Sequence, residues 1–244
     1  MSFDLDASVG SLVAAQPSRA RVLETLGIDY CCGGRRSLRE ASRERGLDPG
    51  QVAASLLASD RATADSAETP RDWTRAPLAV LVDEIVDRHH GYLRRELPRL
   101  ADLTEKVRRA HAERHGELHE VAAVYAGLRA ELETHLAKEE NILFPLIVWL
   151  ESTRETKAIH CGSLQNPIRA MEHEHDDAGA ALRRLRELTA DYAPPEDACA
   201  SYHLLLAGLA DLERDLHTHI HKENNILFPR AIRLEAELAA SSSC

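Results

Sequence analysis

The sequence predicts an all-α fold: an antiparallel four-helix bundle preceded by a small helical N-terminal domain. Three observations carry this. Aromatic residues make up only 4% of the 244 residues, while alanine, leucine, glutamate and arginine abound, a composition that favours helices. From about Arg75 onward, apolar residues recur in alternating steps of three and four, the stripe of a packed helix. One phrase also occurs twice, His135-Leu-Ala-Lys-Glu139-Glu-Asn-Ile142-Leu143-Phe144-Pro145 and His219-Ile-His-Lys-Glu223-Asn-Asn-Ile226-Leu227-Phe228-Pro229, so the chain contains two equivalent helix pairs.

Residues 1–58 are expected to form the N-terminal domain. Pro17-Ser18 opens a helix running to about Leu26, and Gly27 is placed to end it. Ile28 to Gly34 forms a turn-like link containing Cys31-Cys32-Gly33-Gly34, after which Ser37 can cap a second helix. A further short helix covers Pro49 to Leu57, and Ala58 to Pro70 is small, polar and aperiodic, which suits a linker over residues 59–74. The bundle then occupies 75–240, with helices expected near 76–112, 117–149, 167–190 and 195–237. Pro167 suits a first turn and Pro194-Pro195 a helix start. Pro98, Pro145 and Pro229 should each kink or end a helix.

The stripes select the chemistry. Leu205, Leu209, Leu212, Leu216, His219, Glu223 and Ile226 form one seam, and Val121, Tyr125, Leu128, Leu132, His135, Glu139 and Ile142 form its counterpart. Ile168, Met171, His175, Ala178, Leu182 and Leu185 form a third. In the first helix His90 aligns with Val86, Leu93, Leu97 and Leu100; His89 borders the same stripe, and the spacing symmetry of 90 to 135 and 175 to 219 favours His90. A single buried histidine is usually a satisfied core residue. Histidine and glutamate replacing leucine at matching depth in both halves need partners, because burying them alone costs several kcal/mol. Four imidazoles and two carboxylates describe a two-metal centre. Such a set suits iron, manganese or zinc, and bridging carboxylates with open positions favour iron over a four-coordinate zinc.

Other polar residues read differently. Glu174 adjoins His175 and could support a ligand, but it lies off the seam, where a solvated role is favoured. His111, His115 and His119 would form a metal patch only if one helix ran through them, and Gly116 points instead to an exposed turn. His217 and His221 flank His219 by two residues and point away from its seam. Adjacent Cα atoms are about 3.8 Å apart, so a Cys31–Cys32 disulfide would be strained and easily reduced. The pair therefore reads as a redox switch, as thiolates that contact iron or a client protein, or as small residues packing a turn. Cys161, Cys199 and Cys244 carry no recognisable spacing.

The repeated phrases, with His90-Gly-Tyr-Leu-Arg-Arg-Glu-Leu-Pro98, resemble hemerythrin-like domains. Asp-Tyr-Cys31-Cys32-Gly-Gly resembles the module preceding that domain in the iron–sulfur cluster repair di-iron proteins of the ScdA/YtfE type. The resemblance covers nearly the whole chain. It implies two non-haem irons with oxo- or hydroxo- and carboxylate bridges, held by His90, His135, Glu139, His175, His219 and Glu223. Met171-Glu172-His173-Glu174-His175-Asp176-Asp177-Ala178-Gly179 matches the family's second-half phrase and selects His175 over His173. It further implies induction by nitrosative or oxidative stress and delivery of iron to damaged clusters in client proteins, an iron donor more than an enzyme with a turnover reaction. Oxygen-carrying hemerythrins use two histidines four residues apart on one helix. Here Met171 and Gly179 stand at those distances from His175, so a coordination position opens, which fits iron donation. The alternative is an O2- or NO-sensing regulator.

A net charge of −10 with interspersed signs argues against nucleic acid. No stretch suits a membrane span or signal peptide, and the odd cysteine count fits a reducing, cytoplasmic setting. A homodimer through the N-terminal domain is a further expectation. So is the ability of a chain starting near Asp72 to fold and bind iron alone.

Overall fold

The computed structural model describes residues 3–64, 71–154 and 163–241. It separates into two units, Met1–Leu81 with His217–Cys244, and Val82–Leu216. Among the described residues the regular elements are helical, and none is long and apolar enough to cross a membrane.

The first unit begins with α1, Val9–Ala15, capped by the Ser8 hydroxyl on the Ser11 amide, a helix that sequence reading passed over. Next come α2, Arg19–Thr25, and the expected Gly27 stop at φ 66°. The third helix, α3, spans Leu38–Glu44, where Ser37 and Glu40 form a reciprocal capping box. Helix α4 spans Pro49–Ala64, so its end corrects the expected stop at Leu57 and invades the expected linker. Alanines favour that extension, and Asp60 is anchored by two guanidinium nitrogens of Arg19 at 3.0 and 2.7 Å. Residues 65–70 of the expected linker lie outside the described residues. The core of this unit gathers Val9, Val13, Leu23, Ile28, Tyr30, Leu38, Val52 and Leu56 around Ile220 from the C-terminal part of the chain.

The second unit is a four-helix bundle. Its helices are α6 (Gly91–His111), α7 (Glu117–Lys138), α9 (Gln165–Leu188) and the portion of α10 (Ala200–Lys222) up to Leu216. Leu93, Leu97 and Leu100 pack with Tyr125, Leu128, Leu132, Leu182, Leu185, Leu205, Leu209 and Leu212, which are the stripes read from the sequence. The fourth helix starts at Ala200, five residues after the expected Pro195. Ala190, Asp191 and Tyr192 all adopt positive φ, and this turn delays re-entry into helix.

The proline expectations need a larger correction. Pro98 sits inside α6 without ending it. Pro145 and Pro229 lie in the first turns of α8 (Phe144–Thr153) and α11 (Phe228–Ser241), each preceded by a π-helical turn, Glu139–Leu143 and Glu223–Leu227. Proline has no N–H and crowds the carbonyl four residues back; residues 141 and 225 lie inside these π turns, where bonding shifts to i→i+5. A third π turn, Ile85–His90, links α5 (Leu78–Glu84) to α6. The wider turn rotates the next helical segment by about one residue. Ile142, expected on the seam, is 62% exposed while Leu143 is buried; its counterpart Ile226 is buried as expected.

Candidate metal centre

All three π turns carry a predicted ligand at one end: His90 closes the first, while Glu139 and Glu223 open the others. π insertions accumulate at functional sites because they re-aim a side chain without breaking the helix. In the bundle unit, His90, His135, Glu139 and His175 are all buried. Oε2 of Glu139 lies 3.3 Å from Nε2 of His90 and 3.4 Å from Nε2 of His135. Nε2 of His175 lies 3.1 Å from Nε2 of His135. In the other unit, His219 and Glu223 are buried together with Nε2 and Oε1 2.9 Å apart.

The outer nitrogens explain what the inner ones can do. Nδ1 of His90 meets Oε1 of Glu140 at 2.6 Å, and Nδ1 of His135 meets Oε2 of Glu174 at 2.9 Å. A carboxylate there fixes the proton on Nδ1 and turns the Nε2 lone pair inward. Burial raises the Glu140 carboxyl, but His90 and Arg94 more than offset it and hold it below the usual range. Glu174 behaves alike: burial raises it, and Lys138 and His135 pull it below the usual range. Both outer groups are thus anionic at neutral pH. Glu174 is thus partly buried and contacts His135 and Lys138. Glu140 was missed by sequence reading. It comes directly after Glu139, and the second copy of the phrase has Asn224 there, so the repeat concealed it.

The donor set fits a metal ion. With Nδ1 protonated against its carboxylate, the inward lone pairs of His90 and His135 face an oxygen of Glu139, an arrangement of acceptors that a metal cation would satisfy. Metal bonds of about 2.0–2.2 Å separate neighbouring nitrogen and oxygen ligands by roughly 3–3.4 Å, and the observed separations are 3.3 and 3.4 Å. Phe144 stacks on His90 with centroids 5.6 Å apart and helps to keep the ring in place.

Several other histidines are engaged elsewhere. His89 is buried, with Nδ1 2.8 Å from Asp215. His173 is exposed beside Asp177. His111 closes α6 and contacts Sγ of Cys199 at 3.1 Å, and His115 binds Asp197 and Glu117, so no single helix unites them with His119. His221 packs edge-on against Tyr30 in the first unit, and burial lowers its pKa to about 4. Cys31 is buried and Cys32 half-buried, neither in a disulfide; Cys161 and Cys244 lie outside the described residues. Changing His90 to leucine is expected to strip bound metal, whereas His89→Leu should leave metal content near wild type. Equal losses measured by elemental analysis would put His89 among the ligands.

Residues 81–231 match the model of the hemerythrin HHE cation binding domain, and residues 5–60 match ScdA_N, a domain of unknown function. The chain is 39% identical to the iron–sulfur cluster repair protein YtfE of Musicola paradisiaca, over 94% of this chain and 97% of that one. It is 38% identical to YtfE of Pectobacterium carotovorum, over 94% and 98%. A probable iron–sulfur cluster repair protein of Haemophilus influenzae is 36% identical over 92% and 96%. The chain belongs to the YtfE family of iron–sulfur cluster repair proteins. Membership in this family makes the second part of the chain a cation-binding domain, and all the predicted His and Glu ligands fall within residues 81–231.

Proposed function

We propose that the chain repairs iron–sulfur clusters damaged by nitrosative or oxidative stress, donating iron from a non-haem di-iron centre. His90, His135, Glu139, His175, His219 and Glu223 would hold two ions, with Glu139 and Glu223 as bridges. The observation that carries this reading is the Glu139 carboxylate set between two histidines whose outer nitrogens are tied to Glu140 and Glu174. Relatives at 36–39% identity bear the name of cluster repair proteins over nearly their whole length, which supports iron as the cargo. When bound, iron supplies exchangeable coordination and the ion to be delivered.

The chain's own residues hold and release that cargo. Glu140 and Glu174 keep the imidazoles in one tautomer, and burial excludes competing water. Three protein ligands per ion, with the shared carboxylate of the other set as a fourth, would still leave positions open to an acceptor. Glu223 lies in the same π turn as Asn225, which clamps the loop of Cys31 and Cys32 (amide to the Tyr30 and Cys31 carbonyls, 3.3 and 3.0 Å). This supports Cys31 and Cys32 as redox or transfer residues.

The test combines elemental analysis with transfer. Purified protein is expected to carry about two irons per chain, one for each three-ligand set, and to restore a cluster-depleted acceptor as its own iron falls. A protein that retains its iron in the presence of the acceptor and changes conformation on adding nitric oxide would be a sensor instead. One tightly held zinc, with no capacity for a second metal, would sink the di-iron assignment.

A further inference from the structure

We infer that Asp29, Cys31 and Cys32 form a second metal site, separate from the histidine–glutamate centre, for one borderline-soft divalent cation such as zinc or ferrous iron. Ligand atoms of the three side chains all lie within 4.8 Å of one another. Sγ of Cys31 is 3.3 Å from Oδ1 of Asp29. Metal–sulfur bonds of about 2.3 Å and metal–oxygen bonds of about 2.0 Å place tetrahedral neighbours roughly 3.5 Å apart, so this edge already has the required length. Two thiolates and one carboxylate select borderline-soft ions over magnesium or calcium. Cys32 is half-buried, so solvent reaches one member of the set, and water could complete four-coordination.

The loop is held rigidly enough to serve. The Cys31 amide donates to Asp29 Oδ1 at 3.0 Å, which fixes the carboxylate beside the sulfur. The Asn225 amide grips the carbonyls of Tyr30 and Cys31. Gly34 permits that grip: a Cβ there would meet Asn225 Oδ1 at 2.2 Å and the Tyr30 carbonyl at 2.7 Å. The Gly34 carbonyl in turn accepts the Gly10 amide at 2.8 Å. A packing role for the cysteines requires none of this placement of a carboxylate. Binding replaces two S–H bonds by two metal–sulfur bonds, adds one metal–oxygen bond, and releases two protons to solvent with no electron transferred.

Cobalt(II) titration of the full-length protein tests the site independently of iron donation. In Glu139→Leu/Glu223→Leu protein, which lacks the bridging carboxylates of the other centre, one equivalent of cobalt should still produce a sulfur-to-cobalt charge-transfer band. Cys32→Ser, at a half-buried position that tolerates the change, should abolish the band, and Asp29→Ala should weaken cobalt binding at least tenfold with Asp29→Glu restoring part of it. Cobalt binding without the band, or a band unchanged in Cys32→Ser and Asp29→Ala, would overturn the assignment. Failure of iron transfer alongside an intact band would count against the repair reading and leave this site standing.

Discussion

Replacing Glu139 with leucine is expected to remove most of the bound iron and cluster-repair activity while the helices remain. Glu139 is fully buried and its Oε2 faces two histidines at once, so its loss deprives both ions proposed to share it. Removing an outer support of a metal ligand already costs about 10–100-fold in affinity, and losing the ligand itself should exceed that. The stability effect has the opposite sign in metal-free protein. A buried carboxylate replaced by an apolar side chain of similar volume is commonly neutral or stabilising, so the metal-free variant should melt at or above the metal-free wild type. Metal-loaded wild type should melt higher than either, because metal binds the folded state alone. Elemental analysis with thermal melts in both states checks this. A variant that keeps its iron would remove Glu139 from the centre.

Deleting residues 1–71 is expected to destabilise what remains and lower its iron content, the reverse of what the sequence suggested for a chain starting near Asp72. Ile220 is 2% exposed because it completes the core of α1 to α4. The same stretch places His221 against Tyr30 and Asn225 on the carbonyls of Tyr30 and Cys31. Exposing Ile220 forfeits about 2 kcal/mol of burial, and the two lost hydrogen bonds about 1 kcal/mol each. Against a total stability of roughly 5–15 kcal/mol this is a large fraction. His219 and Glu223 lie within the segment that loses its support, so their contribution to metal binding should suffer first. Melting temperature and iron per chain measured on both proteins decide the matter, and a fragment matching wild type in both would show that the segment folds without its N-terminal partner.

Much of this protein is legible in its sequence because helix periodicity is local. The a/d stripes of Tyr125, Leu128 and Leu132, or of Leu205, Leu209 and Leu212, need only 3.6 residues per turn to be read, and they are buried as expected. The repeated His-x-x-x-Glu phrase identifies ligand candidates for the same reason, since four residues is about one helical turn. The Ser37 cap and the Gly27 stop are likewise decided by chemistry within a few residues.

What tertiary structure decided begins where that periodicity is interrupted. The π turns at Glu139–Leu143 and Glu223–Leu227 change the register by about one residue; in the first Ile142 faces solvent and Leu143 is buried, whereas in the second Ile226 and Leu227 are both buried. Proline at 145 and 229 signals a disturbance, but whether the backbone kinks, stops or widens depends on the packing around it. The supporting carboxylates were hidden for a related reason. Glu140 and Glu174 reach histidines on other helices, 50 and 39 residues away in sequence, and no spacing rule within one helix can pair them. The environment of Cys31 is also a product of distance in sequence, because Asn225 holds its loop from the opposite end of the chain. Local repeats determined which side chains could bind metal; contacts between distant helices determined how their protons, lone pairs and loops are held.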